Sequence, residues 1–127
     1  MPANEKTGTV HTTTYHQRGR AAEAMAIDML RRRGYTVVRS TRASHHVHLV
    51  AWCDRSRPVF LHVKRTRRVY SSVGDVAAIW REDIDALKVL PRWDNMSVQL
   101  WIYTVLKGWS FYEIFPGGIV EVAGHVA

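Results

Sequence analysis

The chain has 127 residues, of which 46% are hydrophobic and 23% are charged. This length fits one domain that can bury a core without disulfides, and the composition excludes intrinsic disorder. The single cysteine, Cys53, excludes an internal disulfide and a cysteine-based zinc cluster. No apolar run approaches the roughly 20 residues of a membrane helix, and the N-terminus lacks the apolar segment of a signal peptide. We therefore expect a cytoplasmic protein with no membrane partner.

The charge of the chain is high and uneven. The 18 Lys and Arg residues outnumber the 11 Asp and Glu residues, which gives a net charge of +7. Residues 1–68 hold 14 basic and 4 acidic residues, whereas residues 69–127 hold 4 and 7. A basic surface that only aids solubility is one interpretation, but arginine dominates here, and arginine forms bidentate contacts with phosphate. The charge therefore favours a nucleic-acid partner.

The N-terminal third predicts a tail followed by one long helix. Residues 1–14 are polar, rich in threonine and without periodicity, so we expect a flexible tail before a single domain over residues 15–127. Residues 18–33 form the clearest helix. Its apolar stripe has helical spacing and consists of Ala22, Met25, Ala26, Met29 and Leu30. Gly34 is the expected stop.

The remaining elements predict a mixed α/β sandwich. Short strands are expected at residues 35–39, 47–52 and 59–64, with the last two paired as an antiparallel hairpin. Residues 65–78 are expected to be a loop with some extended chain. A second helix at residues 82–90 is followed by strands at 97–106 and 109–115, joined by a tight turn at Lys107 and Gly108. This order predicts a mixed central β-sheet flanked by helices.

Polar residues on these elements form a candidate site. Glu23 lies at the edge of the helical stripe rather than on its open face. In the strands, His48 and Val50 share one face, and His62 and Lys64 share one face of the neighbouring strand. If the hairpin brings these faces together, Glu23, His48, His62 and Lys64 converge at one end of the sheet. We interpret His45 and His46 as loop residues that contact phosphate or solvent.

The motifs resemble a nuclease family. Four short motifs occur in chain order: Gly19-x3-Glu23, Leu30-x3-Gly34-Tyr35, Ser44-x3-His48 and Phe60-Leu-His62-Val-Lys64. Together they resemble the archaeal Holliday junction resolvases of the PD-(D/E)XK superfamily. The resemblance covers roughly residues 17–115. It implies a restriction-endonuclease-like three-layer sandwich, a homodimer, branched or duplex DNA as partner, and metal-dependent phosphodiester hydrolysis.

The resemblance also assigns roles by position, and the active-site motif is degenerate. Glu23 matches the family's helix glutamate, Lys64 its lysine and Ser44 the serine of the loop before its aspartate. His48 stands where the family has that aspartate, and His62 where it has the first residue of E-x-K. Mg²⁺ prefers oxygen ligands, so two imidazoles in place of two carboxylates disfavour a productive Mg²⁺ site.

Three functions remain open. The first is a DNA-binding protein in which hydrolysis is lost or weak. The second is an active structure-selective endodeoxyribonuclease in which Glu23, His48 and His62 bind Mn²⁺, Zn²⁺ or Fe²⁺ rather than Mg²⁺. The third is a non-catalytic accessory subunit of an active nuclease; the first and third need no metal. The expected DNA-binding residues, which contact the backbone rather than the bases, are Arg18, Arg20, Arg39, Arg42, Arg65, Arg67 and Arg68.

Overall fold

The computed structural model describes residues 15–40 and 46–122, with side chains from residue 19 onward in the first helix. Three helices and six strands are present in this part of the chain. In chain order they are α1 (Tyr15–Arg32), β1 (Thr36–Arg39), β2 (Leu49–Cys53), β3 (Ser56–Arg65), α2 (Val73–Ile79), α3 (Arg81–Lys88), β4 (Ser97–Thr104), β5 (Gly108–Phe115) and β6 (Gly118–Val122). None of the described helices is long and apolar enough to cross a membrane.

Helix α1 begins three residues before the predicted start and ends one residue before the predicted end. Ala22, Ala26 and Leu30 of its apolar stripe are fully buried, whereas Met25 is 40% exposed. Gly34 adopts a positive φ of 91°, and its N–H donates to Arg31 O while the next residue's N–H donates to Leu30 O. These two bonds satisfy carbonyls at the helix end, in a conformation that favours glycine.

The six strands form one sheet in the order β1-β2-β3-β4-β5-β6. All neighbours are antiparallel except β3 and β4, which are parallel. The predicted β2–β3 hairpin is confirmed, and it pairs Leu49 with Leu61. The predicted turn between β4 and β5 is also confirmed, with Gly108 at a positive φ of 75°. Strand β6 extends the sheet beyond the predicted elements.

The parallel pairing of β3 and β4 requires a crossover, which α2 and α3 supply. The expectation of a loop over residues 65–78 is wrong for its second half, because residues 73–79 are helical. The side chain of Ser72 caps this helix by accepting the N–H of Asp75 at 3.1 Å. The sequence did not indicate this helix because it is short and contains Gly74 and two valines, which have low helix propensity.

The helices cover both faces of the sheet and bury a core on each. On one face, α1 packs against Leu61, Val63 and Trp101. On the other, α2 and α3 pack against a cluster that includes Leu100 and Tyr112. The result is a three-layer α/β arrangement, in which β3 contributes alternate residues to the two faces. His62 and Lys64 of β3 therefore lie on the face that α3 covers.

Candidate functional site

The β2–β3 pairing places two histidine rings together. His48 directly precedes β2, and its N–H donates to Leu61 O at 2.7 Å. Its ring stacks on the ring of His62, with 4.3 Å between the centroids. The backbone N–H of Val63 donates to His48 Nδ1 at 3.0 Å, so this nitrogen carries a lone pair rather than a proton. Burial lowers the pKa of His48, which agrees with a neutral ring.

Helix α1 brings Glu23 to the same end of the sheet. Glu23 Oε1 lies 3.3 Å from Arg39 Nε, and Glu23 Oε2 lies 3.8 Å from His48 Nδ1. Because His48 Nδ1 already accepts an N–H, the contact with Glu23 is not a hydrogen bond. The charge of Glu23 is balanced by Arg39 instead.

Helix α3 supplies a second carboxylate, Asp83, from the opposite face. Asp83 Oδ2 lies 3.2 Å from Lys64 Nζ. The other oxygen, Oδ1, lies 3.5 Å from His46 Nδ1 and 3.6 Å from His62 Nε2. The candidate site therefore contains two carboxylates, Glu23 beside His48 and Asp83 beside His62. The stacked rings of these two histidines lie between them.

His62 is held in one tautomer. Its Nδ1–H donates to the carbonyl oxygen of His46, which leaves Nε2 as the unprotonated nitrogen. The side chain is only 4% exposed, and Nε2 is buried with no hydrogen-bond partner among the described residues. Burial, together with the neighbouring His48, lowers the pKa of His62 to about 4. At neutral pH the ring therefore offers an uncharged nitrogen to its surroundings.

The structure brings four of the predicted site residues close to one another, in the chain Glu23, His48, His62 and, through Asp83, Lys64. Of the predicted DNA-binding arginines, Arg39 pairs with Glu23, while the remaining described ones are exposed: Arg20, Arg65, Arg67 and Arg68. Ser44 and Arg42 lie outside the described residues, as does the side chain of Arg18. Their roles stay predictions.

Two residues of the site were not predicted from the sequence. His46 was interpreted as a loop residue contacting phosphate or solvent, yet its carbonyl fixes His62 and its ring lies beside Asp83. Asp83 was not considered at all. The available signal was its position next to Ile84, which is buried on α3, because a carboxylate at the edge of a buried helix face points toward the sheet.

The donor set does not fit Mg²⁺. This ion requires near-octahedral oxygen coordination, and its sites in proteins use carboxylates and water. Here His48 and His62 offer imidazole nitrogens rather than oxygens. The two carboxylates already have cationic partners, since Glu23 pairs with Arg39 and Asp83 pairs with Lys64. The nitrogen ligands instead suit transition metals such as Zn²⁺.

Comparison with known proteins shows which fold the chain shares. The sequence matches no protein-family model, and no curated protein matches it. Among solved structures, it is similar to Hjc, a Holliday junction resolvase from the archaeal hyperthermophile Archaeoglobus fulgidus. The match has a TM-score of 0.54 at 15% identity and covers 74% of this chain and 70% of the archaeal chain. The protein has a resolvase-like fold. The predicted restriction-endonuclease-like α/β architecture is confirmed.

Proposed function

We propose that the protein binds DNA, branched or duplex, while Mg²⁺-dependent phosphodiester hydrolysis is lost or weak. The observation that carries this proposal is a basic segment at the end of β3, formed by Arg65, Arg67 and Arg68. All three side chains are exposed, and no carboxylate of the described residues forms an ion pair with them. The segment continues the strand that carries His62 and Lys64, so it borders the site of the resolvase-like fold.

Unpaired arginines on a basic protein are suited to phosphate. Each phosphate that an arginine neutralises releases condensed counterions, so affinity falls steeply as salt rises. Contacts of this kind position a protein on the backbone without reading base sequence. The similarity to a Holliday junction resolvase supports branched DNA as the preferred form. A homodimer would match the two-fold symmetry of a four-way junction, and its mass would be twice the 14.6 kDa of the chain.

Loss of hydrolysis follows from the charges around the site. The two carboxylates, Glu23 and Asp83, each have a cationic partner, Arg39 and Lys64 respectively. Imidazoles at His48 and His62 remove the negative charge that would offset a hard cation. Lys64 is engaged by Asp83, so it is not poised to stabilise charge on a phosphate.

The proposal is tested by the salt dependence of DNA binding. Fluorescence anisotropy with a labelled four-way junction and a linear duplex, between 50 and 200 mM salt in EDTA, gives the slope of log affinity against log salt. This slope is negative, and we expect the double variant Arg65→Gln/Arg67→Gln to make it less negative by about 2, since each phosphate contact contributes about −0.9.

The matched control removes the same charge elsewhere. Arg31→Gln/Arg32→Gln lowers the net charge equally at the end of α1, where Arg32 pairs with Asp28 at 3.0 Å. We expect this control to change the slope by less than half as much. Equal effects of the two doubles, or no binding by the wild-type protein at 50 mM salt, would contradict the proposal.

An endonuclease that uses Mn²⁺, Zn²⁺ or Fe²⁺ is the second candidate function. The observation that favours it is the proximity of several imidazole nitrogens to Glu23 and Asp83. This candidate predicts junction cleavage with one of these ions that is lost in both Glu23→Ala and Lys64→Ala. A protein that binds the junction and yields no product with any ion supports the first candidate instead.

A further inference from the structure

Three potential metal ligands converge on the α3 side of the sheet. The ligand atoms of His46, His62 and Asp83 all lie within 4.8 Å of one another. They come from three separate segments: the chain before β2, strand β3, and the first turn of α3. The fold, rather than a sequence motif, therefore assembles this cluster.

Among the described residues, His62 Nε2 has no hydrogen-bond donor, and this favours a cation at that nitrogen. His62 Nε2 is buried and unprotonated, because Nδ1 carries the proton donated to His46 O. A buried acceptor without a donor is costly. Asp83 Oδ1, which also presents lone pairs, lies 3.6 Å from this nitrogen. Two electron-rich atoms that face each other without a hydrogen are stabilised by a positive ion between them.

Two of the three distances between the ligand atoms match those around a tetrahedral ion. Zn²⁺ binds histidine nitrogen at about 2.0–2.1 Å and carboxylate oxygen at about 2.0–2.2 Å, which puts neighbouring ligand atoms about 3.4 Å apart. The distances from Asp83 Oδ1 to His46 Nδ1 and to His62 Nε2 are 3.5 and 3.6 Å. The two histidine nitrogens lie within 4.8 Å of each other, so the two rings must move toward each other to complete such a site.

We propose that His46 Nδ1, His62 Nε2 and Asp83 Oδ1 bind one Zn²⁺ ion in three positions of a tetrahedron, with the fourth position open to water. One hydrogen bond and one ion pair orient these ligands, as is usual around protein-bound zinc. The His46 carbonyl fixes the ring of His62, and Lys64 holds Asp83 through its other oxygen. The site shares only His62 with the set Glu23, His48 and His62. It does not require that the protein bind DNA.

The site is tested by metal titration of the purified protein without DNA. Co²⁺ substitutes for Zn²⁺ and absorbs visible light more strongly in a tetrahedral site than in water. We expect one Co²⁺ per chain, displaced by Zn²⁺, and weakening by more than about 100-fold in His46→Gln and in Asp83→Asn. His46→Gln keeps the backbone carbonyl that orients His62, so it removes the ligand alone.

Matched controls separate the two ligand sets that contain His62. Glu23→Gln and His48→Gln remove groups of the alternative set, and we expect each to change Co²⁺ affinity less than threefold. Urea unfolding of every variant verifies that it is folded. Loss of binding in Glu23→Gln or His48→Gln with retention in His46→Gln and Asp83→Asn would overturn the proposal. So would the absence of tetrahedral Co²⁺ absorption in the wild-type protein.

Discussion

Acidification of the metal-free protein should destabilise it through His62. In the unfolded chain this histidine has an ordinary pKa of 6.5, whereas burial lowers its pKa to about 4 in the folded protein. Between these values the unfolded state binds more protons, so stability is retained above pH 6.5 and is lost as the pH falls toward 4. The two pKa values differ by about 2.5, and each pKa unit corresponds to about 1.4 kcal/mol. Protonation of His62 can therefore lower the free energy of unfolding by at most about 3 kcal/mol.

The assay is urea unfolding in EDTA at pH values between 8 and 4, on the wild type and on His62→Asn. Asparagine keeps an N–H that can reach the His46 carbonyl but does not titrate in this range. We expect the loss of unfolding free energy from pH 7 to pH 4.5 to be smaller in the variant by about 2–3 kcal/mol. Identical pH profiles for the two proteins, or a pKa of His62 above 6 measured by NMR in the wild type, would refute this reasoning.

Three stability predictions concern contacts elsewhere in the fold, each checked by urea unfolding at pH 7.5. Ser72→Ala removes the N-cap of α2 and should cost about 1 kcal/mol, and no loss would contradict the capping role. Arg57→Lys should cost about 1–2 kcal/mol, because lysine cannot replace the two parallel bonds of 3.2 and 3.3 Å to the buried Glu113. Asp83→Asn should cost about 1 kcal/mol, since it leaves a half-buried ammonium unpaired. The exposed Asp85→Asn on the same helix should stay within about 0.5 kcal/mol, and an equal loss in both aspartate variants would exclude a specific role for Asp83.

Sequence patterns were sufficient to predict the elements with strong periodicity. The stripe of α1, the glycine stop at Gly34 and the β2–β3 hairpin each arise from interactions between residues close in the chain. Helix α2 was not predicted, because seven residues with a glycine and two valines have weak helical propensity. It forms because Ser72 caps it and because Val76 is buried in the core. Tertiary packing decides the structure of such a segment.

The candidate site was predictable on the strands and unpredictable at α3. Alternation and motif spacing placed His48, His62 and Lys64 near one another, because the hairpin is local. Asp83 reaches the site only because β3 and β4 are parallel and α3 lies in the crossover between them. Local sequence patterns predict neither the order of the strands in the sheet nor the face on which a crossover helix packs.

The central claim is that the protein binds DNA and does not hydrolyse it with Mg²⁺. It is tested most directly by incubating the purified protein with a labelled four-way junction or a matched duplex, in EDTA and in Mg²⁺. Binding by gel shift and product on a denaturing gel are recorded from the same samples. The account predicts a shifted junction whose DNA stays intact in Mg²⁺. Efficient cleavage in Mg²⁺, or no shift at low salt, would contradict it.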